Sequence, residues 1–364
     1  MTVPESSIVV RPEPLGSASY TESSRLQAAG LRAAIDLFEQ AANEVPLPRA
    51  PQPIVIADYG AGTGHNSLLP IGAAITRLRT RTRHDQSILV AHTDAAENDF
   101  TVLFKTLADD PDSYLNHDRA AFASAVGRSF YQQVLPSDSI TLGWSSWAVQ
   151  WLSRSPGPIG DHIQADCSAD AGVRAAHARQ AAEDWHEFVA FRGRELSPHG
   201  RLVVLTMAID ESGEPGLRPV FDHVVAVLRD LVGQGLLTED EVGAMSLPIV
   251  GRSATDFVAP FSPKGKFEHL TVEHLEVFEA EDRYWSQYRI DKDTKAFAAQ
   301  WAAFARAAAF PTLAAALSGG IDDSRRADFL DRLEKGLAER LAAAPEQMRI
   351  PLAKVVLVKD GRSR

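Results

Sequence analysis

One cysteine, Cys167, occurs in 364 residues. That excludes a disulfide within the chain and a cysteine metal cluster, and such sparing use of cysteine suits a reducing, cytoplasmic compartment. There is no basic run. The 37 Lys and Arg stand against 48 Asp and Glu, for a net charge of -11, which speaks against a nucleic-acid partner. No apolar run approaches the length of a membrane span, so no membrane partner is expected. The segment Met1 to Ser17 is polar and proline-bearing, without the apolar centre of a signal peptide. No H-E-x-x-H motif is present, and His177 and His186 lack the i, i+4 spacing of a helical metal pair, so no metal is expected. What is present is 45% hydrophobic residues, enough to bury a large core in one large domain or two. This balance suits a small or apolar ligand.

The most informative stretch is Pro53-Ile-Val-Ile-Ala-Asp58-Tyr-Gly60-Ala-Gly62-Thr-Gly64-His-Asn66-Ser67. A short apolar run ends in an acid and then three alternating glycines. It reads as a buried parallel strand feeding a tight turn, where glycine lets a ligand approach the backbone. The dinucleotide fingerprint is G-x-G-x-x-G, whereas the spacing here is G-x-G-x-G with an acid two residues ahead. That fits a nucleoside ligand without a pyrophosphate, such as S-adenosylmethionine (SAM). An ordinary strand–helix turn would show the same glycines.

Elements alternate along the chain. Helices are expected over Ser24–Ala42, Leu68–Leu78 (with Pro70 in its first turn), Phe100–Leu107, His177–Leu196 and Val220–Val232. Strands are expected over Ile54–Ala57, Ile88–His92, Ala121–Val126, Ser139–Trp144 and Arg201–Met207, with later ones at Phe267–Phe278 and Ala353–Lys359. The alternation argues for a doubly wound α/β fold on a mostly parallel sheet. The final strand has no helix after it, which suggests that it runs antiparallel. The segments Asp210–Phe261 and Asp291–Ala344 are too long for simple crossovers. They are either a lid over the carboxyl edge of the sheet or packing helices on its outer faces. The expected organisation is a tail over 1–17, a ligand-binding core over 18–209, an inserted cap over 210–265, a core strand over 266–290, further cap or core helices over 291–350, and a terminal strand and tail over 351–364.

Certain positions carry chemistry. Asp94 ends the second strand, where an acid accepts hydrogen bonds from ribose hydroxyls in nucleoside-binding folds, although any Asp there could be a helix N-cap. Ser129 and Phe130 follow the third strand, where an aromatic could cover an adenine face and a serine bond its edge. Trp147 and Trp151 follow the fourth strand directly. Two tryptophans at a strand end belong either to a core or to a pocket wall. An indole N–H is a donor only, suited to a carboxylate oxygen.

Five separated segments, in order, resemble the SABATH family of SAM-dependent carboxyl methyltransferases. Tyr20-Thr-Glu-Ser-Ser24-Arg-Leu-Gln27 is similar to Y-x-x-N-S-x-x-Q, and Ile56-Ala-Asp58-Tyr-Gly60-Ala-Gly-Thr-Gly64-His-Asn66-Ser to I-A-D-L-G-C-S-S-G-P-N-T. His92-Thr-Asp94-Ala-Ala-Glu-Asn98-Asp99-Phe100 is similar to N-D-L-P-x-N-D-F. Gly127-Arg-Ser129-Phe130-Tyr131 with Leu135-Pro136-Ser137 is similar to G-S-F-Y-x-x-L-F-P-S. Ser145-Ser146-Trp147-Ala-Val-Gln150-Trp151-Leu152-Ser153 is similar to S-S-Y-S-L-H-W-L-S. The resemblance runs from about Tyr20 to Met207 and loosens afterwards. It implies a Rossmann-like, seven-stranded, mostly parallel sheet with an α-helical cap, in a homodimer. It also implies SAM as cofactor, with S-adenosylhomocysteine (SAH) as product.

By the same resemblance, Ser24, Asp58, Gly60, Asn66, Asp94, Ala95, Ser129, Phe130 and Ser145 are expected at the cofactor, and Gln27 and Trp151 on the substrate carboxylate. Tyr20, Trp147 and Gln150 are expected at the substrate; Met207, Phe221, Val225, Ile249 and Phe257 are candidate apolar lining, and each could equally be core. Ala95 replaces a leucine, Ala61 a cysteine, Trp147 a tyrosine and Gln150 a frequent histidine of the family pattern, which points to a pocket of its own shape. A carboxylic acid has a pKa of about 4–5 and is already a nucleophile at neutral pH, so methyl transfer to it requires alignment and no general base. The expected substrate is an apolar monocarboxylic acid, aromatic or medium-chain aliphatic. A nitrogen or hydroxyl acceptor, and a catalytically silent SAM-binding protein, are the alternatives.

Overall fold

The computed structural model describes residues 18–361, with side chains described from Leu31 onward except at Ile321. Helix α1 (Ala18–Glu44) leads into strand β1 (Ile54–Tyr59), helix α2 (His65–Arg79) and β2 (Ile88–Asp94). Helices α3 (Phe100–Asp109) and α4 (Tyr114–His117) connect to β3 (Ala121–Gly127), which is followed by β4 (Ile140–Ser146), α5 (Ala171–Glu195) and β5 (Leu196–Met207). Then come α6 (Arg218–Gly233), α7 (Glu239–Ala244), α8 (Ala254–Val258) and β6 (Leu270–Glu279). Helices α9 (Arg283–Asp291), α10 (Thr294–Ala308), α11 (Phe310–Ala314) and α12 (Arg326–Ala343) precede the last strand, β7 (Pro351–Lys359).

The sheet order is β3-β2-β1-β4-β5-β7-β6. Strands β1 to β5 pair in parallel, and β7 runs antiparallel to both neighbours, as its place after the last helix suggested. From β1 the chain moves outward to β2 and β3, then returns to the other side of β1 at β4. That reversal opens a crevice beyond the carboxyl ends of β1 and β4, where ligands bind in open α/β sheets.

The central strands are apolar on both sides because helices cover both faces. Every residue of β4 is buried. Alternate residues supply two cores. Ile54 and Ile56 of β1, Leu142 and Trp144 of β4, and Val203 and Leu205 of β5 share one cluster with α1, α2, α6, α10 and α12. Ala57, Tyr59, Leu202, Val204, Val355 and Leu357 share the other with Trp185, Phe188 and Val189 of α5.

Several boundaries differ from expectation. Helix α2 begins at His65, so Pro70 lies beyond the first turn and has no N–H to give to the carbonyl four residues earlier. Helix α5 begins at Ala171, because Asp170 caps it by accepting from the amides of Gly172 and Val173. It passes straight into β5 at Leu196, ahead of the expected start at Arg201. Strand β4 runs on through Ser145 and Ser146. The 210–261 stretch holds three α-helices instead of one, and α9 lies at Arg283–Asp291, where no helix was expected.

Candidate active site

The loop after β1 is shaped by backbone that only glycine adopts readily. Gly60, Gly62 and Gly64 have φ of 84°, 53° and 88°, in the left-handed region. A Cβ at Gly60 would sit 2.2 Å from the Cβ of Ala148, and Phe130 Cε1 lies 3.5 Å from the same point. The turn is anchored to β2. The carbonyl of Thr93 accepts the amides of Gly60 at 2.8 Å and Ala61 at 3.1 Å, and the Asn98 side-chain amide donates to the Gly62 carbonyl at 2.9 Å.

Asp94 ends β2 beside this loop. One carboxylate oxygen accepts the Gly62 amide at 2.6 Å and the other accepts the Ala95 amide at 2.7 Å. These two bonds fix the carboxylate at the strand end, the position a ribose-binding role requires. Ala95 is buried beside it. Asn66 is half-buried in the first turn of α2, whose amides open toward the loop.

Asp58 is itself almost fully buried, and its carboxylate lies 2.7 Å from His92 Nδ1. His92 Nε2 lies 3.0 Å from the Tyr114 hydroxyl. The acid two residues before the first glycine is thus the head of a buried Asp–His–Tyr chain behind the loop. Burial, with Asp58 nearby, drives the Tyr114 phenol pKa far above its ordinary value, so Tyr114 stays a neutral hydroxyl there. His92 and Tyr114 went unrecognised in the sequence; a histidine in an otherwise apolar buried strand was the available signal.

The loop after β3 presents Phe130, buried, and Ser129, half-buried. The Phe130 ring packs 4.7 Å from that of Tyr131. This loop is held from below by α5. Arg192 donates to the carbonyls of Phe130 at 2.7 Å and Gln132 at 2.9 Å, and pairs with Glu195 at 3.0 Å. Glu195 also accepts the Val134 amide at 2.6 Å, the Leu135 amide at 3.0 Å and the Tyr59 hydroxyl at 2.7 Å. Burial raises the Tyr59 phenol well above its usual pKa, so it serves as a donor. Neither Arg192 nor Glu195 was anticipated; their i, i+3 spacing near the helix end was the only local sign.

The exit of β4 forms the third wall. Ser145 donates its hydroxyl to the Tyr59 carbonyl at 2.9 Å, tying β4 to β1. Trp147 has φ +55°, a strained conformation for a bulky residue and one that recurs at functional sites. Gln150 fixes that turn: its amide donates to the Trp147 carbonyl at 2.6 Å and accepts from Thr206 at 3.0 Å. Gln150 therefore braces the pocket wall through both ends of its amide. The Tyr131 hydroxyl donates to the Trp151 carbonyl at 2.5 Å. Trp151 Nε1 is buried and has no hydrogen-bond partner among the described residues. An orphaned buried donor costs about 1–3 kcal/mol and marks a place where an acceptor group is wanted.

Segment 247–252 closes over this turn. Trp151 and Ile249 form an antiparallel bridge, and the Leu152 amide donates to the Pro248 carbonyl at 2.8 Å. Arg252, fully buried, donates to the carbonyls of Val149 at 2.6 Å and Ala181 at 2.8 Å. Trp147, Trp151, Met207, Phe221, Val225 and Ile249 fall in one apolar cluster. Phe257 is not brought together with them. It packs edge-on against Trp185, ring centroids 5.2 Å apart, in the cluster on the α5 side. Tyr20, Ser24 and Gln27 fall on α1, but their side chains lie outside the described residues.

These parts fit SAM: glycines that bare the backbone, a fixed carboxylate at the end of β2, and an aromatic ring beside Gly60. Residues 11–357 match the model of the SAM-dependent carboxyl methyltransferases. The chain belongs to that family, the SABATH methyltransferases. It is 26% identical over 275 residues to a Petunia hybrida benzoic acid/salicylic acid carboxyl methyltransferase, covering 72% of this chain and 76% of the relative. It is also 26% identical over 306 residues to monomethylxanthine methyltransferase 2 of Coffea arabica, covering 76% of each. A loganic acid methyltransferase structure with SAH superposes with a TM-score of 0.73 at 22% identity, covering 96% of this chain and 99% of that one. The fold is that of a Rossmann-like SAM methyltransferase, and SAM is the cofactor. No group of His, Cys, Asp and Glu able to hold a metal ion occurs among the described residues, and none of the helices there is long and apolar enough to cross a membrane.

Proposed function

We propose that this enzyme converts the carboxylate of a small apolar acid, aromatic or medium-chain aliphatic, to its methyl ester. The observation that carries the reading is the buried Trp151 indole N–H, without a partner among the described residues, within an apolar cluster that also holds Trp147, Met207, Phe221, Val225 and Ile249. A neutral donor orients a carboxylate without quenching its charge, as a buried guanidinium would. The apolar walls favour an acid whose remainder is hydrocarbon. Bound SAM supplies an electrophilic methyl group on sulfur. The protein's task is to hold one carboxylate oxygen in line and keep water out, and orientation of this kind supplies roughly 7–11 kcal/mol of a barrier. Trp151, with Gln27 as a second amide donor, grips the acid; Asp94 takes the ribose hydroxyls and Phe130 the adenine. Asn66, Asp58 and Ser129 complete the cofactor side.

Segments 210–265 and 291–350 act as a cap. Phe221 and Val225 of α6, together with Ile249, share the cluster of the two tryptophans, which supports that role. We also propose that the enzyme works in the cytoplasm, in keeping with its single cysteine, and as a homodimer, as the family resemblance implies. The test is incubation with methyl-labelled SAM and a panel running from benzoate and salicylate to octanoate and decanoate. Labelled methyl ester is the expected product. Label in no ester, or label transferred instead to a xanthine offered alongside, refutes the substrate class.

A further inference from the structure

Three buried polar atoms near the exit of β4 have no partner among the described residues: Trp144 Nε1, Ser146 Oγ and Trp151 Nε1. Their burial separates them. Trp144 is 0% exposed and sealed under Phe38 of α1, whose ring centroid lies 4.9 Å away. Ser146 at 4% and Trp151 at 7% sit at the open end of the sheet, past the last residue of β1.

Strand parity sets the direction of the Ser146 hydroxyl. Trp144 lies across from Val203, and Ser146 from Leu205. Trp144, Val203, Leu205 and Met207 all belong to the cluster that contains Trp147 and Trp151, and alternate residues of a strand share a face. Ser146 therefore points to the face of the sheet on which Trp147 and Trp151 pack. Ser145 points to the opposite face and spends its proton on the Tyr59 carbonyl. The next residue, Trp147, holds its left-handed backbone with its amide bonded to the Leu205 carbonyl at 2.8 Å, which pins Ser146 at the turn.

Nearly all buried hydroxyls in native proteins are hydrogen-bonded, and an exception calls for a ligand or water that completes it. We infer that Ser146 is a further acceptor-site donor, its hydroxyl giving a hydrogen bond to the carboxylate of the bound acid alongside the Trp151 indole. The inference rests on the carboxyl reading above. It assigns the second serine of the Ser145-Ser146 pair to the substrate and the first to the sheet. Neutral donation from a hydroxyl and an indole would fix the carboxylate plane while leaving its charge available for attack on the methyl group.

The cofactor's own amino-acid carboxylate offers the same chemistry, so the test separates the two. Benzoate and octanoate are titrated calorimetrically into full-length protein saturated with SAH, and SAH is titrated into the free protein, for wild type, Ser146→Ala and Ser146→Thr. For Ser146→Ala the acid Kd should rise about tenfold or more, the loss of one hydrogen bond to a charged group. Its SAH affinity should stay at the wild-type value. Its thermal midpoint without ligand should hold or rise, since removing an orphaned hydroxyl relieves a desolvation cost. Ser146→Thr, which keeps the hydroxyl, should retain most of the acid affinity.

Unchanged acid affinity in Ser146→Ala overturns the inference alone. A loss confined to SAH gives the hydroxyl to the cofactor and overturns it as well. A fall in the unliganded midpoint together with both affinities marks a structural hydroxyl and does the same. Wild-type protein that binds neither acid overturns the carboxyl reading and this inference together.

Discussion

Replacing Trp151 by Phe removes one N–H and keeps an aromatic ring in the wall. In the ligand-free protein that N–H has no partner among the described residues, so losing it relieves a desolvation cost of about 1–3 kcal/mol. The smaller ring leaves a partial cavity, at a cost of about 1–2 kcal/mol, a fraction of the ~3–5 kcal/mol of a full Trp-to-Ala truncation. The two effects oppose, so unfolding free energy should move by less than about 2 kcal/mol. Catalysis should respond far more. A hydrogen bond from a neutral donor to a charged group is worth about 1.5–3 kcal/mol, and each ~1.4 kcal/mol is tenfold in rate. The variant should thus lose about 10- to 150-fold in kcat/KM for the acid. Initial rates of labelled ester formation at saturating SAM give this number, with SAM affinity and thermal midpoint measured in parallel. A kcat/KM within about twofold of wild type, or a drop in SAM affinity matching the drop in rate, would refute the assignment of Trp151 to the carboxylate.

Other perturbations test the supporting structure. Gly60→Ala puts a Cβ 2.2 Å from Ala148 at φ +84°; strain and overpacking together should cost about 2–5 kcal/mol and abolish SAM binding, read as a lowered midpoint that SAM no longer raises. Glu195→Gln leaves Arg192 buried without its counter-charge and should lower unfolding free energy by about 3–5 kcal/mol in denaturant titrations. Asp166 is pushed up to about 6, chiefly by burial, against the opposing pull of the Gly251 amide and of Arg252 and Arg218. Its raised pKa means the folded state holds a proton that the unfolded state releases above about pH 4, so its contribution is present below that pH and lost as pH rises through 6. Asp166→Asn, which cannot ionise, should gain up to about 3 kcal/mol over wild type at pH 8 and almost nothing at pH 4. Equal midpoint shifts at both pH values would show that ionisation of Asp166 is not the cause.

The fold was legible wherever local chemistry is unambiguous. Three glycines at two-residue spacing read correctly as a turn because each adopts positive φ, and β7 read as antiparallel from its place in the chain. The end of β4 was misread because Ser145 and Ser146 look like a loop, although in a strand covered on both faces a serine bonded to the neighbouring backbone is at home. Which face of the sheet each of the two serines takes depends on strand parity, and parity turns on a register that a single sequence does not state. Phe257 was grouped with the pocket because hydrophobicity does not encode which side of a sheet a residue covers. Helices α7 and α8 were missed through shortness, though their capping boxes at Thr238/Glu241 and Ser253/Asp256 are written in the sequence. Arg192, Glu195 and His92 stayed hidden because each reaches a partner far along the chain: Phe130, Val134 and Asp58 lie 62, 61 and 34 residues away.

The most direct test of the central claim uses the panel acid turned over best, carrying oxygen-18 in both carboxyl positions, with methyl-labelled SAM. The ester should retain both heavy oxygens and carry one labelled methyl group, with one SAH formed per ester. Loss of one heavy oxygen, or SAH formed without labelled ester, would contradict direct attack of the carboxylate on the methyl group.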